Sequence, residues 1–231
     1  MRLLAVRRNS FSPADFVPLR DALLASPLVG ATTLDGPFEA SRGFAVTFTA
    51  AGRSALLERV PRLGPYLDAV LEKPALRAMT PWFTRLGPVP NAWYLNVLLV
   101  PPGATVGRHV DATLRAPAGV EGAVPELVSV LYLKVPEAPG GELRLWAGDE
   151  LYAELAPEEG MVLHFRGNLG HEVLAFEGAP GALRASLVIE QYHFHQAALA
   201  RLPDFKLDSR AGFEARLREH AARPPRSFEL D

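Results

Sequence analysis

The second half of the chain consists of short apolar runs separated by turns that contain Gly and Pro. The runs are rich in β-branched and aromatic residues, which is typical of strands. Several short strands with turn signals between them indicate a β-sandwich or a barrel. The pattern predicts strands over residues 91–100, 126–135, 141–148, 160–165, 171–176 and 183–194.

The first ninety residues instead show helical periodicity around one strand-like run. A helix can begin at Pro13, because Pro suits the first helical position, and Ser12 can cap it with Asp15 three residues later. Two further segments carry apolar residues at helical spacing. We predict helices from Pro13, over 54–60 and over 66–79 with a break at Pro74, and a strand over 43–50.

The segment after residue 196 turns helical again. Asp208 or Ser209 can cap a helix with the sequence RAGFEARLREHAA, and RPPRSFELD then forms a tail. We expect a single domain over residues 1–231, with a β core flanked by helices from both ends. Its parts are an N-terminal support region (1–90), the core (91–195) and a C-terminal helix with a tail (196–231).

The composition is that of a globular protein with nearly balanced charge. The chain has 231 residues, of which 48% are hydrophobic, and this is enough for one sizeable core. The net charge is −2 and no basic stripe occurs, so we expect no nucleic-acid partner. The N-terminal apolar run, Leu3 to Val6, is too short for a signal peptide, and no stretch has the length of a membrane helix. We expect a cytoplasmic protein without a membrane partner.

The chain contains no cysteine, so any metal must be held by His, Asp or Glu. His109 and Asp111 form an H-x-D pair, and residues two apart on a strand face the same side. His171 lies far enough along the chain to return on an opposing strand as a third ligand. Two histidines and one carboxylate form the facial triad of non-haem Fe(II) oxygenases.

Other histidines compete with this interpretation. His164 lies on a predicted strand and is a rival third ligand, although a packed histidine is the favoured interpretation. His193 and His195 are also two apart, but they follow the last predicted strand of the core. We interpret this second pair as peripheral.

Arg184 shares a strand face with Ser186 in the sequence LRASLVIEQY. If that face is inward, the guanidinium lies in an apolar interior and needs a partner, usually a carboxylate that accepts two hydrogen bonds. No acidic residue of the chain is an obvious partner. A carboxylate of a ligand is therefore a candidate.

These motifs follow one another in the order His109-x-Asp111, YLK, GGEL, HEV and LRASL. In this order the sequence resembles the Fe(II)/2-oxoglutarate-dependent dioxygenases, and most of all their prolyl-4-hydroxylase-like branch. The resemblance covers roughly residues 91–194. It implies a mainly β fold whose core, residues 91–195, is a double-stranded β-helix (a jelly roll, cupin-like) between N- and C-terminal helices. The chain departs from the pattern in the longer spacing from His171 to Arg184, where EGAPGA indicates an inserted hairpin.

Carried over motif by motif, the resemblance implies roles for individual side chains. The implied catalytic residues and metal ligands are His109, Asp111 and His171. The implied co-substrate-binding residues are Arg184, Tyr132, Ser186, Tyr94 and Asn96. Substrate contacts are expected from Arg115, on the loop after the metal pair, and from Trp146, as pocket wall.

The implied activity is hydroxylation of a C–H bond in a peptidyl residue, an amino acid or a small molecule, with release of succinate and CO2. It requires Fe(II), 2-oxoglutarate as co-substrate and O2, with ascorbate as an optional addition. Two alternatives stay open at this point. One is a cupin-like metalloenzyme that does not use 2-oxoglutarate, and the other is a non-catalytic jelly-roll binding protein.

Overall fold

The computed structural model describes residues 3–32, 34, 36–38, 40–71 and 89–211. The strands in these ranges are β1 (Leu4–Arg7), β2 (Gly30–Ala31), β3 (Arg42–Thr49), β4 (Ala92–Val100), β5 (Val106–His109), β6 (Leu127–Lys134), β7 (Leu143–Ala147), β8 (Glu150–Leu155), β9 (Val162–Arg166), β10 (Gly170–Val173), β11 (Arg184–Tyr192) and β12 (Phe205–Asp208). The α-helices there are α1 (Pro13–Leu24), α2 (Arg53–Arg59), α3 (Gly64–Leu71), α4 (Arg115–Ala118) and α5 (Gln196–Leu199). Single 3₁₀ turns span Gly36–Phe38 and Pro61–Leu63.

The strands form two antiparallel sheets. The large sheet has eight strands in the order β1-β9-β6-β11-β4-β3-β12, with β2 paired to β3. The small sheet has four strands in the order β5-β10-β7-β8. Apolar side chains from both sheets form one buried cluster, in which Leu98, Val130 and Phe165 of the large sheet meet Val106 and Leu145 of the small sheet. The two sheets therefore face each other, and the prediction of a mainly β, jelly-roll fold is confirmed.

Each strand that was predicted with bounds is present with slightly different ends, and five others lie outside those bounds. β5 and β8 belong to the small sheet, whereas β1, β2 and β12 extend the large one. β12 corrects the expectation of helix throughout the segment after residue 196, because it pairs antiparallel with β3. That segment begins with α5, as expected, but its next element is this short strand, whose stability comes from a partner more than 150 residues earlier.

The N-terminal helices form as their sequence signals indicate. Ser12 caps α1: its hydroxyl accepts a hydrogen bond from the Asp15 backbone N–H at 3.2 Å, and Pro13 occupies the first turn. The predicted helix over 66–79 appears as α3, and its residues after Leu71 lie outside the described part of the chain. At the other end, the Ser209 hydroxyl accepts from the Ala211 N–H at 3.2 Å, as expected of a cap, and the rest of that predicted helix also lies outside.

Helices α1 to α3 cover the outer face of the large sheet. Leu19, Leu56 and Leu67 from these helices join a buried cluster with Phe44 and Leu187 from β3 and β11. The large sheet is thus buried on both faces. On its inner face, a cavity lies between the two sheets. None of the helices in the described residues is long and apolar enough to cross a bilayer. The division of the chain into three regions stays a prediction.

Candidate metal centre

The structure brings His109, Asp111 and His171 together at the edge of the cavity between the sheets. Three ligand atoms, one from each side chain, lie within 4.8 Å of one another. The two histidines are cross-strand partners in β5 and β10, and their ring centroids are 4.2 Å apart. The Asp111 carboxylate lies between them, with Oδ1 3.4 Å from His109 Nε2 and Oδ2 3.4 Å from His171 Nε2.

Asp111 reaches this position by a route that differs from the sequence prediction. β5 ends at His109, so the expectation that both residues of the H-x-D pair stand on one strand is wrong for Asp111. Beyond His109 the strand pairing stops and the chain turns towards α4. Val110 then points towards solvent, while Asp111 is buried and turns back to the histidines.

Backbone carbonyls orient both imidazole rings. His109 Nδ1 lies 2.7 Å from the Gly107 carbonyl oxygen, and His171 Nδ1 lies 3.2 Å from that of Leu169. A carbonyl only accepts, so Nδ1 carries a hydrogen in each ring, and in the neutral ring Nε2 keeps its lone pair. This arrangement, in which the outer nitrogen is hydrogen-bonded and the inner one is free to ligate, is general for metal-binding histidines.

The electrostatics of the three groups favour a charged carboxylate. Burial by itself raises the pKa of Asp111, but the attraction to His171 and His109 in their protonated forms outweighs burial and lowers the pKa. Burial in turn lowers the pKa of His171, yet Asp111 shifts it upward overall. Within the described residues, the buried atoms His109 Nε2 and Asp111 Oδ2 have no hydrogen-bond partner. The chemistry and the unsatisfied atoms of this set suit a divalent cation such as Fe(II).

Three of the predicted co-substrate residues meet on the inner face of the large sheet. Arg184 on β11 is 2% exposed, and its guanidinium carbon lies 4.9 Å from the centre of the Tyr132 ring. Ser186 is the register partner of Tyr132 across β11 and β6. Within the described residues, the buried Arg184 Nε and Tyr132 hydroxyl have no hydrogen-bond partner. The same cavity that is lined by the triad is lined by all three of these residues.

The four remaining predicted residues lie at different distances from the cavity. Asn96 on β4 lines it. Tyr94, two residues earlier, is buried and lines a neighbouring surface cavity instead. Arg115 begins α4 and is exposed, and Trp146 on β7 packs under the Arg108 guanidinium at 4.5 Å. Neither Arg115 nor Trp146 lines the cavity in the structure, and their substrate roles stay predictions.

Among the cavity-wall residues that sequence reasoning missed, three are close to charged groups or come from outside the predicted core. Leu34 and Phe38 come from the N-terminal region, and the Phe38 ring packs edge-on against His109 at 4.8 Å. No local signal marks them, because only tertiary packing brings this segment to the core. Glu190 follows Arg184 by six residues on β11, and the alternation of inward positions could have identified it. Its burial and the charge of Asp111 hold the pKa of Glu190 well above its usual range.

His164 is not part of the metal centre. It is fully buried on β9, and its Nδ1 is joined to the Ser129 hydroxyl by a hydrogen bond of 2.8 Å. His193 and His195 lie beyond β11 with ring centroids 6.2 Å apart, and the His193 ring is bonded to the Val89 carbonyl at 2.8 Å. Both arrangements agree with the interpretation of these histidines as packed or peripheral.

Comparison with known proteins identifies the fold. Neither a family model nor a curated protein sequence matches the chain. A prolyl-4-hydroxylase structure from Pseudomonas putida matches with a TM-score of 0.53 and 19% identity, over 84% of this chain and 94% of that one. The chain has the fold of the 2-oxoglutarate–Fe(II) oxygenases. The resemblance in motif order is thus confirmed at the level of the fold.

Two further structures support this assignment. A 2OG-Fe(II) oxygenase family oxidoreductase from Burkholderia pseudomallei matches with a TM-score of 0.53 and 17% identity, over 82% of this chain and 85% of that one. A prolyl hydroxylase from Trichoplax adhaerens, in complex with a hypoxia-inducible-factor peptide fragment, matches with a TM-score of 0.54 and 14% identity, over 82% and 83%. At these identities the shared property is the fold.

Proposed function

We propose that this protein is a non-haem oxygenase that uses Fe(II), 2-oxoglutarate and O2 to hydroxylate a C–H bond, with release of succinate and CO2. One observation carries the proposal. A single cavity is lined by a His-Asp-His set with unsatisfied ligand atoms and by a buried arginine with an unsatisfied guanidinium nitrogen. A cation and a dianionic keto acid together satisfy both. The fold of the 2-oxoglutarate–Fe(II) oxygenases supports the same assignment.

His109, Asp111 and His171 are the proposed metal ligands, through Nε2 of each histidine and one carboxylate oxygen. The Gly107 and Leu169 carbonyls hold the neutral rings in the ligating tautomer, so binding requires no change of tautomer. When bound, an Fe(II) ion with 2-oxoglutarate and O2 provides the oxidising power for C–H hydroxylation. The described residues supply three protein ligands, which leaves coordination positions for small molecules.

Arg184 is the proposed anchor for the distal carboxylate of 2-oxoglutarate. A buried guanidinium without an acidic partner is costly, and a ligand carboxylate that accepts two hydrogen bonds removes that cost. Tyr132 lies beside the guanidinium with an unsatisfied hydroxyl that can donate to the same carboxylate, and Ser186 can do so from the adjacent position. Asn96 lines the same cavity, which supports a contact with the co-substrate.

The remaining walls exclude water. Leu98, Val106, Val130, Leu143 and Phe165 line the cavity between the polar groups. These apolar residues strengthen the electrostatic interactions inside the cavity and limit side reactions with solvent. The protein therefore provides position, charge and shelter for the reaction.

The substrate of the proposed reaction is a peptidyl residue, an amino acid or a small molecule. Among the structural neighbours, the Trichoplax prolyl hydroxylase is in complex with a peptide. For the present chain we propose that the substrate enters through the open side of the cavity. One of its C–H bonds then lies next to the metal centre. Cytoplasmic location, and ascorbate as an optional addition, belong to this proposal as well.

An anaerobic titration watched by visible absorbance tests the proposal. The protein without metal receives Fe(II) first and 2-oxoglutarate second. A weak metal-to-ligand charge-transfer band that needs both additions supports the proposal, because it reports a keto acid bound through iron. Iron binding without the band would indicate the cupin-like metalloenzyme, and absence of iron binding would indicate the non-catalytic binding protein.

A further inference from the structure

The inner face of β11 carries a second buried charged group. Arg184, Ser186, Val188 and Glu190 all line the cavity, because alternate residues of a strand face the same side. Glu190 is 4% exposed, close to the 2% of Arg184. At a rise of about 3.4 Å per residue, the two Cα atoms are about 20 Å apart along the strand. The cavity wall is therefore basic at one end and acidic at the other.

Neutral hydroxyl groups hold the Glu190 carboxylate in place. Thr113, two residues after Asp111, donates its hydroxyl hydrogen to Oε1 at 2.8 Å, and the Tyr192 hydroxyl donates to Oε2. The Thr113 backbone N–H also donates to this carboxylate, so three of its four acceptor sites are used and one is left. In the part of the chain that the structure describes, no Lys or Arg side chain pairs with Glu190.

With Fe(II) and 2-oxoglutarate bound, the other charges of the site cancel and Glu190 has no opposite charge. This charge balance rests on the proposed function. A ferrous ion and Arg184 together carry three positive charges. Asp111 and the two carboxylates of 2-oxoglutarate carry three negative charges. Among the described residues that line the cavity, Glu190 is then the acidic group without a counterpart. Burial and the charge of Asp111 raise the pKa of Glu190, so its charged form is costly by itself, and a cationic group that arrives with the substrate compensates that charge.

The Glu190 end of the cavity is also the end that leads outwards. A second cavity, at the surface, shares Leu34 and Thr113 with the first. Tyr94, the register partner of Glu190 across β11 and β4, lines this outer cavity. Arg184 lies at the far end, where 2-oxoglutarate is proposed to bind. A substrate that enters through the outer cavity therefore meets Glu190 beside the metal centre.

We propose that Glu190 is a substrate-binding residue that pairs with a protonated amine of the substrate. Thr113 and Tyr192 are positioning residues that hold the carboxylate towards the cavity. The amine has two sources: the α-ammonium of a free amino acid or the side-chain ammonium of a lysyl residue in a peptide. Both place a cation a few bonds from an aliphatic C–H bond.

Three probes with one carbon skeleton distinguish these sources. Norleucinamide carries only the α-ammonium, Nα-acetyl-lysinamide carries only the side-chain ammonium, and Nα-acetyl-norleucinamide is neutral. Each is titrated calorimetrically, without O2, into wild-type protein loaded with Fe(II) and 2-oxoglutarate. The same titrations use Glu190→Gln, which keeps the shape and removes the charge. Glu150→Gln, at an exposed position of β8, is the control for loss of one negative charge.

Wild type and Glu150→Gln should bind one cationic probe at least about tenfold more tightly than the neutral probe. Glu190→Gln should lose this preference while it binds the neutral probe as wild type does. Preference for norleucinamide identifies an α-ammonium, as in a free amino acid, and preference for Nα-acetyl-lysinamide identifies the side-chain ammonium of a lysyl residue. Equal binding of all probes by wild type, no measurable binding of either cationic probe, or a preference that survives in Glu190→Gln overturns the proposal.

The design separates this inference from the function on which it rests. The charge-transfer band is recorded for each protein before any probe is added. A missing band in wild type contradicts the oxygenase assignment. A normal band with no preference for a cation contradicts only the role of Glu190. If Glu190 merely tied the Thr113 loop to β11, Glu190→Gln would weaken all three probes alike and lower the melting temperature.

Discussion

Two groups of buried polar side chains are separated by the large sheet. One borders its inner face and the other lies on its outer face. The metal centre and Arg184 line the cavity on the inner face. The outer polar cluster, defined as Ser129, His164 and Gln191, lies on the other face. Gln191 is bonded to the Val70 carbonyl of α3 at 3.4 Å, which places this cluster under the helices. β11 serves both regions, with alternate residues turned to each side.

The two regions show that burial alone does not make a site. His171 and His164 are both buried histidines with an Nδ1 hydrogen bond. Beside His171 lies the carboxylate of Asp111, which raises the pKa against the effect of burial. His164 has a neutral serine instead, so burial, assisted by the charge of Arg7, lowers its pKa to about 4. In the described residues the inner face combines a carboxylate with an open cavity, and this combination distinguishes a candidate metal centre from a packed polar cluster.

The largest expected effect comes from removal of the Asp111 carboxylate, which the metal centre has and the outer polar cluster lacks. Asp111→Ala should abolish stable Fe(II) binding, because the remaining two imidazoles bind iron weakly and the charge that attracts the cation is lost. The measurement is iron retained per protein after anaerobic desalting. His164→Gln, on the other face, is the matched control and should retain iron as wild type does. Full iron occupancy in Asp111→Ala would show that the ligands lie elsewhere.

Much of this contrast was predictable from the sequence, because it depends on local periodicity. The H-x-D pair, the distal histidine and the inward position of Arg184 all follow from spacing and motif order. Glu190 was equally accessible, since it continues the alternation that starts at Arg184. Leu34 and Phe38 were not, because their place in the cavity depends on packing between segments distant in sequence.

The strands also divide into those that local sequence predicts and those that depend on distant partners. β4, β6 and β11 are long, apolar and buried on both faces, so their sequences alone predict them. β12 has only four residues, with Phe205 and Leu207 as its apolar positions, and pairing with β3 decides its conformation. Asp111 shows the limit at single residues: its spacing predicts the contact with His109, but its path off the strand depends on where the β5–β10 ladder ends.

Arg184→Ala and Gln191→Met compare the two faces of one strand, β11. Arg184→Ala should bind Fe(II) normally but bind 2-oxoglutarate about 30-fold or more weakly, because truncation of a buried charge that pairs with a ligand costs about 2 kcal/mol or more. The titration of the charge-transfer band with 2-oxoglutarate measures the effect. Gln191→Met changes the opposite face of β11 at similar volume and should leave the affinity unchanged. If Arg184→Ala binds 2-oxoglutarate as wild type does, the anchor assignment is wrong.

His164→Gln tests the outer polar cluster through the pH dependence of stability. The pKa of His164 is about 4 in the folded protein and about 6.5 in the unfolded chain. The unfolded chain therefore binds a proton in this window that the folded protein excludes, and the free energy of unfolding falls as the pH falls. From about pH 7 to about pH 4.5 the contribution is about 2 kcal/mol.

Urea unfolding of wild type and His164→Gln at both pH values measures this effect. Glutamine does not titrate and can still hydrogen-bond the Ser129 hydroxyl, so the variant should lose less stability than wild type on acidification. Contributions from other groups, including His171 and Asp111, are common to both proteins and cancel in the difference. Parallel pH profiles would mean that His164 accepts its proton without cost in the folded state. The outer polar cluster would then tolerate a protonated histidine, as the metal centre does. The two faces of the sheet would not differ in this respect.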